Sequence, residues 1–234
     1  MSDRKGDGRS GGRMLHTRVK TARGRKNSST RWLQRQLNDP YVIEARRQGY
    51  RSRAAFKLKE LDDRFHLLKA GQRAVDLGCA PGGWTQIAVE RIEPEKTGGQ
   101  VVGLDLLAMD PVAGATNFVC DFTDDDAPDR LKALLGGPVD VVLSDMAANT
   151  TGHPPTDHLR IVALLDLAYA FACEVLAPGG AFVAKVFQGG AEAEFLATMK
   201  RDFATVRHAK PPASRKDSAE TYIVATGFRR GADE

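Results

Sequence analysis

From residue 72 onward, short apolar runs alternate with longer helical patterns, and this alternation constrains the fold more than any other feature of the chain. Strands that alternate with helices are typical of an α/β protein with a mostly parallel sheet, covered by helices on both faces. The pattern predicts a seven-stranded sheet of this kind. Its strands are 73–77, 101–106, 116–120, 139–145, 181–187, 204–209 and 221–228, with helices at 84–92, 127–135, 157–176 and 191–202.

Two parts of the chain depart from this alternation. The last two strands have no helix between them, so we expect them to pair antiparallel through the polar loop at 210–220. Residues 1–27 are rich in Gly, Arg and Lys, which predicts a disordered basic arm. Residues 28–230 are expected to form a single domain, with a basic helical extension at 28–70 (helices at 31–48 and 52–66) and a core at 71–230.

Charge is distributed unevenly along the 234 residues. Residues 1–70 contain 19 Lys and Arg against 7 Asp and Glu, a net charge of +12, whereas the remainder of the chain carries −8. A basic front half on an acidic body favours a polyanionic partner such as nucleic acid. A solvated basic tail without any partner would have the same composition.

Composition narrows the class of protein further. With 42% hydrophobic and 27% charged residues the chain fits a soluble globular protein, and no apolar run has the length of a membrane span or the form of a signal peptide. The cysteines, Cys79, Cys120 and Cys173, are widely spaced and predict neither a disulfide framework nor a metal site. We therefore expect a cytoplasmic protein without membrane contact and without a metal.

Glycines and acidic residues follow the first four strands at their carboxyl ends, where open α/β sheets bind ligands. The first strand leads into the glycine-rich turn 78–83, which lets a ligand approach the backbone closely. Asp105 then follows the second strand, Asp121 the third and Asp145 the fourth. Asp105 suits a ribose hydroxyl and Asp121 an adenine amino group, with Phe122 available to pack on the ring. Together these residues predict a nucleoside-binding cleft.

Lys185 interrupts the apolar run 181–187, and a buried charge is costly unless it is paired or neutral. One explanation is a buried ion pair that fixes the register of the strand. The other is a catalytic amine at the carboxyl end of the sheet.

Longer stretches carry a family resemblance. They are DLGCAPGGW (76–84), GLDLLAMDP (103–111), VLSDMAANTTG (142–152), LAPGGAFVAKVFQG (176–189) and ETYIVATGF (220–228), preceded by RWLQRQLNDPYV (31–42) and YRSRAAFKLKELD (50–62). From about residue 29 to residue 228 the chain resembles the FtsJ-type RNA 2′-O-methyltransferases, above all those that methylate a uridine ribose in 23S ribosomal RNA. Cys79 and Ala148 depart from the pattern, where alanine and proline would be expected.

The resemblance implies a Rossmann-like methyltransferase fold, S-adenosylmethionine as cofactor and ribosomal RNA as partner, within the large ribosomal subunit. It further implies that Lys185 is the general base, which takes the proton of the ribose 2′-hydroxyl. The implied catalytic residues are Lys57, Asp145, Lys185 and Glu220. The implied cofactor-binding residues are Gly82, Trp84, Asp105, Asp121 and Asp145, although Trp84 would equally suit plain core packing.

Basic residues ahead of the sheet, and two in the loop before Glu220, are the candidates for binding RNA phosphates. A 2′-hydroxyl target implies RNA rather than DNA. We expect a monomer, since no apolar helix stands out as a dimer face. The candidate RNA-binding residues are Arg31, Arg35, Arg46, Arg47, Arg51, Arg53, Lys59, Arg215 and Lys216.

Other functions fit the sequence less well. A methyltransferase acting on an exocyclic base amine usually has an Asn/Asp-Pro-Pro-aromatic run after the fourth strand, where this chain has SDMAAN. A carbon-5 pyrimidine enzyme needs a cysteine nucleophile in the cleft, and a dinucleotide enzyme needs a different glycine spacing. A non-catalytic RNA-binding assembly factor would not need the four implied catalytic residues. Within the family, transfer RNA is the alternative substrate.

Overall fold

The sheet predicted from the alternating pattern is present in a computed structural model, which describes residue 17 and residues 27–147, 152–187 and 192–229. Most of the predicted arm at 1–27 lies outside the described residues and stays a prediction. The strands are β1 Arg73–Leu77, β2 Gln100–Asp105, β3 Thr116–Val119, β4 Val139–Ser144, β5 Leu176–Phe187, β6 Phe203–Ala209 and β7 Glu220–Phe228. The helices are α1 Asn27–Leu37, α2 Pro40–Gln48, α3 Ala54–Phe65, α4 Gly83–Ile92, α5 Pro94–Thr97, α6 Ala127–Leu135, α7 Pro154–Val175 and α8 Glu192–Asp202.

The seven strands form one sheet in the order β3-β2-β1-β4-β5-β7-β6. The first five strands pair in parallel, whereas β7 is antiparallel to both of its neighbours, β5 and β6. The prediction of a mostly parallel sheet with an antiparallel end is therefore confirmed. Because β7 inserts between β5 and β6, Lys185 on β5 lies directly opposite Tyr222 on β7.

The prediction of one helix over 31–48 is wrong in one respect, because the segment forms two helices that meet at Asp39 and Pro40. A proline inside a helix lacks the backbone N–H for the ladder and clashes with the preceding turn, whereas it is well tolerated at the first position. Pro40 accordingly begins α2, and the Asp39 side chain caps that helix by accepting from the Tyr41 N–H at 3.0 Å. The chain thus turns between α1 and α2 instead of continuing.

Two apolar cores cover the two faces of the sheet. One core packs α6, α7 and α8 on the sheet and contains Phe171 and Phe182. The other packs α3 and α4 on the opposite face and contains Leu58. Alternate residues of β5 point to alternate faces, so Lys185 shares the α3 side with Val183. The helix α3 is thereby held directly over the carboxyl end of β5. None of the helices in the described ranges is long and apolar enough to cross a membrane.

We predict that Leu58→Ala lowers the free energy of unfolding by about 2–5 kcal/mol, because it empties a fully buried site beneath α3. Urea denaturation measures this loss. Leu159→Ala, on α7 with its side chain 68% exposed, is the matched control and should cost less than about 0.5 kcal/mol. Equal losses in the two variants would contradict the packing of α3 on the sheet.

Candidate active site

The carboxyl ends of four neighbouring strands meet at one edge of the sheet, as the sequence predicts. Backbone hydrogen bonds join them: the Gly78 N–H donates to the Leu104 carbonyl at 2.9 Å, and the Asp145 N–H donates to the Leu77 carbonyl at 3.2 Å. On the outer side, the Cys120 N–H donates to the Asp105 carbonyl at 2.9 Å. The turn after β1 therefore lies between the acidic residues that follow β2 and β4.

The glycine-rich turn has the shape of a cradle for an anionic or zwitterionic group. Gly78 has a φ of +79°, and a Cβ there would lie 2.9 Å from the Met146 backbone. A larger residue would therefore displace the loop that follows β4. The helix α4 starts at Gly83, and no side chain caps it. Its first-turn N–H groups and the positive end of its dipole favour a negatively charged group at this position.

Asp105 organises this turn from the neighbouring strand. One oxygen of its carboxylate accepts from the Ala80 N–H at 2.8 Å, and the other accepts from the Leu107 N–H at 2.8 Å. Asp121 accepts from the N–H and the hydroxyl of Thr123 through a single oxygen, and these hydrogen bonds lower the pKa of its carboxyl. Both acids are thus ionisable acceptors fixed at adjacent strand ends.

The side chains of Trp84 and Phe122, two candidates for cofactor contacts, are both buried in the protein core. The Trp84 side chain is buried beneath α3, where its indole N–H donates to the Ala54 carbonyl at 2.9 Å. What Trp84 presents to the glycine turn is therefore its backbone. The expected packing of Phe122 on an adenine ring finds no support either, because Phe122 is buried in the core against Phe171. Apolar residues commonly follow strand ends, so the sequence could not distinguish stacking from core packing.

The four implied catalytic side chains come together, and none of them is adjacent to another in sequence. The Lys57 Nζ lies 2.7 Å from Glu220 Oε1 and 3.9 Å from Asp145 Oδ2. The Lys185 Nζ lies 3.2 Å from Asp145 Oδ1 and donates to the Asp145 carbonyl oxygen at 2.5 Å. Each side chain is between 7% and 16% exposed. Two lysine side chains and two carboxyl side chains thus form one nearly buried cluster with a small open side.

Tyr222 is a member of this cluster that the sequence analysis missed. Its hydroxyl donates to Asp145 Oδ1 at 2.9 Å, and its ring lies 5.7 Å from the Lys57 ammonium. Burial, with the nearby charges of Asp145 and Glu220, raises the pKa of Tyr222 well above its usual value. The hydroxyl therefore stays protonated and fixes the Asp145 carboxylate. The sequence held one indication of this role, a tyrosine hydroxyl two residues beyond Glu220 in an otherwise apolar strand.

A cleft of about 500 Å³ opens beside the cluster and reaches the glycine turn. Its walls include Lys57, Asp145 and Glu220 from the cluster and Ala80 and Pro81 from the glycine turn. A ligand held by the turn and a second ligand entering the cleft would therefore meet at Asp145. The arrangement can deprotonate or orient a hydroxyl group next to a bound nucleoside.

The predicted RNA-binding residues divide into two groups. The guanidinium groups of Arg51 and Arg53 are bound within the protein. Arg51 donates to the Asp110 and Pro111 carbonyl oxygens at 2.5 and 2.6 Å, and Arg53, which also lines the cleft, donates to Asp39 and to the Ala213 carbonyl. Arg47 is paired with Glu44 at 2.5 Å, and Lys59 lies over the Tyr50 ring. The residues better placed for an external anion are Arg35, which lines the cleft, and the exposed Arg46 and Lys216. Arg215 also lines the cleft but pairs with Asp39 at 3.3 Å, and the Arg31 side chain lies outside the described part.

The cysteines do not form a nucleophilic site. Cys79 is buried in the glycine turn, and burial, with the charges of Asp76 and Asp105, raises the pKa of its thiol to about 12. Cys173 lies within α7, and burial raises its pKa as well. A thiolate is the reactive form, so these positions disfavour carbon-5 pyrimidine chemistry. Among the described residues, no three His, Cys, Asp or Glu side chains cluster as metal ligands.

The sheet order and the cleft at the strand ends define a Rossmann-like α/β fold with a ligand site at its switch point. A profile of the FtsJ-like methyltransferase family matches residues 50–228. The chain belongs to the FtsJ-like methyltransferase family.

Relatives and a solved structure agree with this membership. A Paramagnetospirillum magneticum protein named Ribosomal RNA large subunit methyltransferase E is 66% identical, over 97% of this chain and 95% of its own length. A Rhodospirillum rubrum protein of the same name is 64% identical, over 96% of this chain and 86% of its own. A crystal structure from Plasmodium falciparum, provisionally assigned as a ribosomal RNA methyltransferase, aligns with a TM-score of 0.68 at 30% identity, over 76% of this chain and 98% of its own.

Asp76 supplies a pH-dependent prediction. Its side chain is fully buried, and burial raises its pKa to about 7, despite the hydrogen bond from Thr85. The folded protein therefore holds a proton that the unfolded chain loses near pH 3.8. Since the native state binds more protons across this interval, its free energy of unfolding falls as the pH rises from about 4 to about 7.

We expect Asp76→Asn, which keeps the acceptor for Thr85 but does not titrate, to lack this decrease. Chemical denaturation of both cofactor-free proteins at several pH values measures the difference. The variant should gain stability relative to the wild type between pH 4 and pH 7, and the difference should level off above that. A difference independent of pH would contradict the assignment.

Proposed function

We propose that the protein transfers a methyl group from S-adenosylmethionine to the ribose 2′-hydroxyl of a uridine in 23S ribosomal RNA, within the large ribosomal subunit. One observation carries this proposal: Lys57, Asp145 and Glu220 line a cleft that reaches the glycine turn, and Lys185 contacts Asp145 directly behind them. The names of the close relatives support ribosomal RNA as the substrate class. A monomer in the cytoplasm, as expected from the sequence, remains part of the proposal.

The residues at the strand ends fit S-adenosylmethionine. The uncapped first turn of α4 behind Gly82 suits a carboxylate, and the Asp76 Oδ1 is a buried polar atom without a hydrogen-bond partner beneath the same turn. Asp105 would hold the ribose and Asp121 the adenine amino group. The cofactor, when bound, supplies a methyl group that the adjacent sulfonium makes electrophilic.

Lys185 is the general base in this proposal. The neutral amine accepts the 2′-hydroxyl proton as the oxygen attacks, and the resulting ammonium donates to two acceptors already in place, the carboxylate and carbonyl oxygens of Asp145. Tyr222 fixes the carboxylate of Asp145. Lys57, held by Glu220 at 2.7 Å, orients the ribose and balances charge on the opposite side. Positioning in a narrow cleft provides much of the remaining acceleration.

The deciding experiment incubates the purified protein and labelled S-adenosylmethionine with large ribosomal subunits, free 23S ribosomal RNA or transfer RNA, each from a strain in which the gene is deleted. Label in the 23S RNA of subunits, mapped to one 2′-O-methyluridine, is the expected result. Label in transfer RNA alone would identify transfer RNA as the substrate instead. Binding to subunits without any methyl transfer would favour a non-catalytic assembly factor.

We predict that Lys185→Ala lowers the rate of methyl transfer at least about 100-fold, because the proton acceptor is removed. Calorimetry should find its affinity for S-adenosylmethionine within about twofold of the wild type, since Lys185 lies outside the glycine turn. Lys96→Ala, which removes a lysine 74% exposed on α5, is the control and should retain full activity. A near wild-type rate in Lys185→Ala with cofactor bound would rule out the assigned base.

We predict that the double substitution Arg35→Ala and Lys216→Ala weakens RNA binding and makes it less sensitive to salt. Two lost phosphate contacts should reduce the slope of log affinity against log salt by about 1 to 2. Filter binding at several salt concentrations measures this slope. The control variant, Lys96→Ala with Lys200→Ala, removes two exposed lysines outside the cleft. The same slope in both variants would exclude Arg35 and Lys216 from the RNA interface.

A further inference from the structure

Asp39 is a nearly buried carboxylate that joins three segments far apart in the sequence. Its side chain is 6% exposed and lies at the junction of α1 and α2. One oxygen caps α2 through the Tyr41 N–H. The other oxygen accepts hydrogen bonds from Arg53, at the start of α3, and from Arg215 at 3.3 Å, in the loop between β6 and β7. Helix capping uses only the first oxygen, so the two arginine contacts of the second oxygen need another explanation.

The loop reached by Arg215 is fastened at a second point from the same side. The Ala213 carbonyl accepts from Arg53, and the Ala213 N–H donates to Glu60 Oε2 at 2.6 Å. The other oxygen of Glu60 accepts from the Tyr41 hydroxyl at 3.0 Å. The α2 and α3 helices thus hold residues 213–215 through both backbone and side-chain contacts.

This loop leads directly into the catalytic cluster. The Ser214 hydroxyl donates to Glu220 Oε1 at 3.0 Å, and the same oxygen lies 2.7 Å from the Lys57 ammonium. Ser214 itself is 4% exposed. A continuous set of contacts therefore runs from Asp39 through Arg53 and residues 213–214 to the pair formed by Glu220 and Lys57.

Electrostatics makes Asp39 necessary to this arrangement. Arg53 and Arg215 both approach the same carboxylate oxygen, and their side chains are only 15% and 29% exposed. Two guanidinium groups this close repel each other, and a buried cation without a partner is costly. The single negative charge of Asp39 lets both arginines remain on the loop side of the cleft.

We propose that Asp39 is a positioning residue of the methyl-transfer reaction, holding the β6–β7 loop so that Ser214 and Glu220 keep Lys57 in place. This inference rests on the proposed function. The charge of Asp39, rather than its cap on α2, is the active element. Loss of that charge releases the two arginines, loosens residues 213–220 and displaces Glu220 from Lys57.

Asp39→Asn separates the two roles, because asparagine caps a helix as well as aspartate but carries no charge. We expect kcat for methyl transfer to ribosomal subunits to fall about 10- to 100-fold, the range that a misplaced catalytic group produces. The KM for S-adenosylmethionine should not change, since Asp39 and its partners Arg53 and Arg215 make no hydrogen bond to the glycine turn, Asp105 or Asp121 in the described part of the chain. Asp63→Asn, which removes a carboxylate 58% exposed on α3, is the control and should keep the wild-type kcat.

Hydrogen exchange of residues 211–220, measured by mass spectrometry, provides a readout that does not depend on activity. Exchange should be faster in Asp39→Asn than in the wild type and unchanged in Asp63→Asn. Unchanged kcat, a change confined to the KM for RNA, or unchanged exchange would each overturn the proposal. If the wild type transfers no methyl group to ribosomal subunits, the proposed function fails, and hydrogen exchange still decides whether Asp39 holds the loop.

Ser214→Ala tests the far end of the same path without altering Asp39, so it also covers the case in which Asp39→Asn does not fold. It should lower kcat while leaving the KM for the cofactor unchanged. Because both residues act on Glu220, the double variant should lose no more than about twofold beyond the more impaired single variant. Fully multiplicative losses, or a wild-type kcat in Ser214→Ala, would overturn the shared path.

Discussion

The contact between the Lys185 Nζ and the Asp145 carboxylate, at 3.2 Å, is the interaction on which the rest of the site depends. It requires β4 and β5 to be adjacent, parallel and in a fixed register, so that the end of one strand meets the side chain of the other. It also requires α3 to cover the same face, since Lys57 completes the cluster from there. A shift of one residue in β5 would turn Lys185 towards the opposite core.

Charge compensation explains how such a cluster persists in a nearly buried position. Two lysines and two carboxylates balance each other, and the Tyr222 hydroxyl supplies a further hydrogen bond to Asp145. Removing one partner from such a set leaves an uncompensated buried charge, which costs far more than an exposed ion pair contributes. The same groups that stabilise the arrangement therefore hold the Lys185 amine in a fixed position beside Asp145, which lines the cleft.

The basic residues ahead of the sheet show why a count of charges is a poor guide to a binding surface. Arg51 and Arg53 belong to the cluster of positive charge in the sequence, yet their guanidinium groups are bound to backbone carbonyl oxygens and to Asp39. A planar group with five donors can join several chain segments at once. These two arginines connect the helical extension to the glycine turn and to the loop before Glu220, so their donors already hold the walls of the cleft together.

The sequence by itself determined the seven strands, the antiparallel end of the sheet and the family motifs, because these depend on local patterns of apolar residues, glycines and acids. The predicted single helix over 31–48 was wrong at Pro40, because a residue without a backbone N–H outweighs the helical pattern around it. Only the tertiary structure decided which charges pair, that Tyr222 joins the cluster and that Asp39 reaches the β6–β7 loop. Those contacts connect residues up to 176 positions apart, and spacing along the chain carries no information about distances that the packing of α3 on the sheet creates.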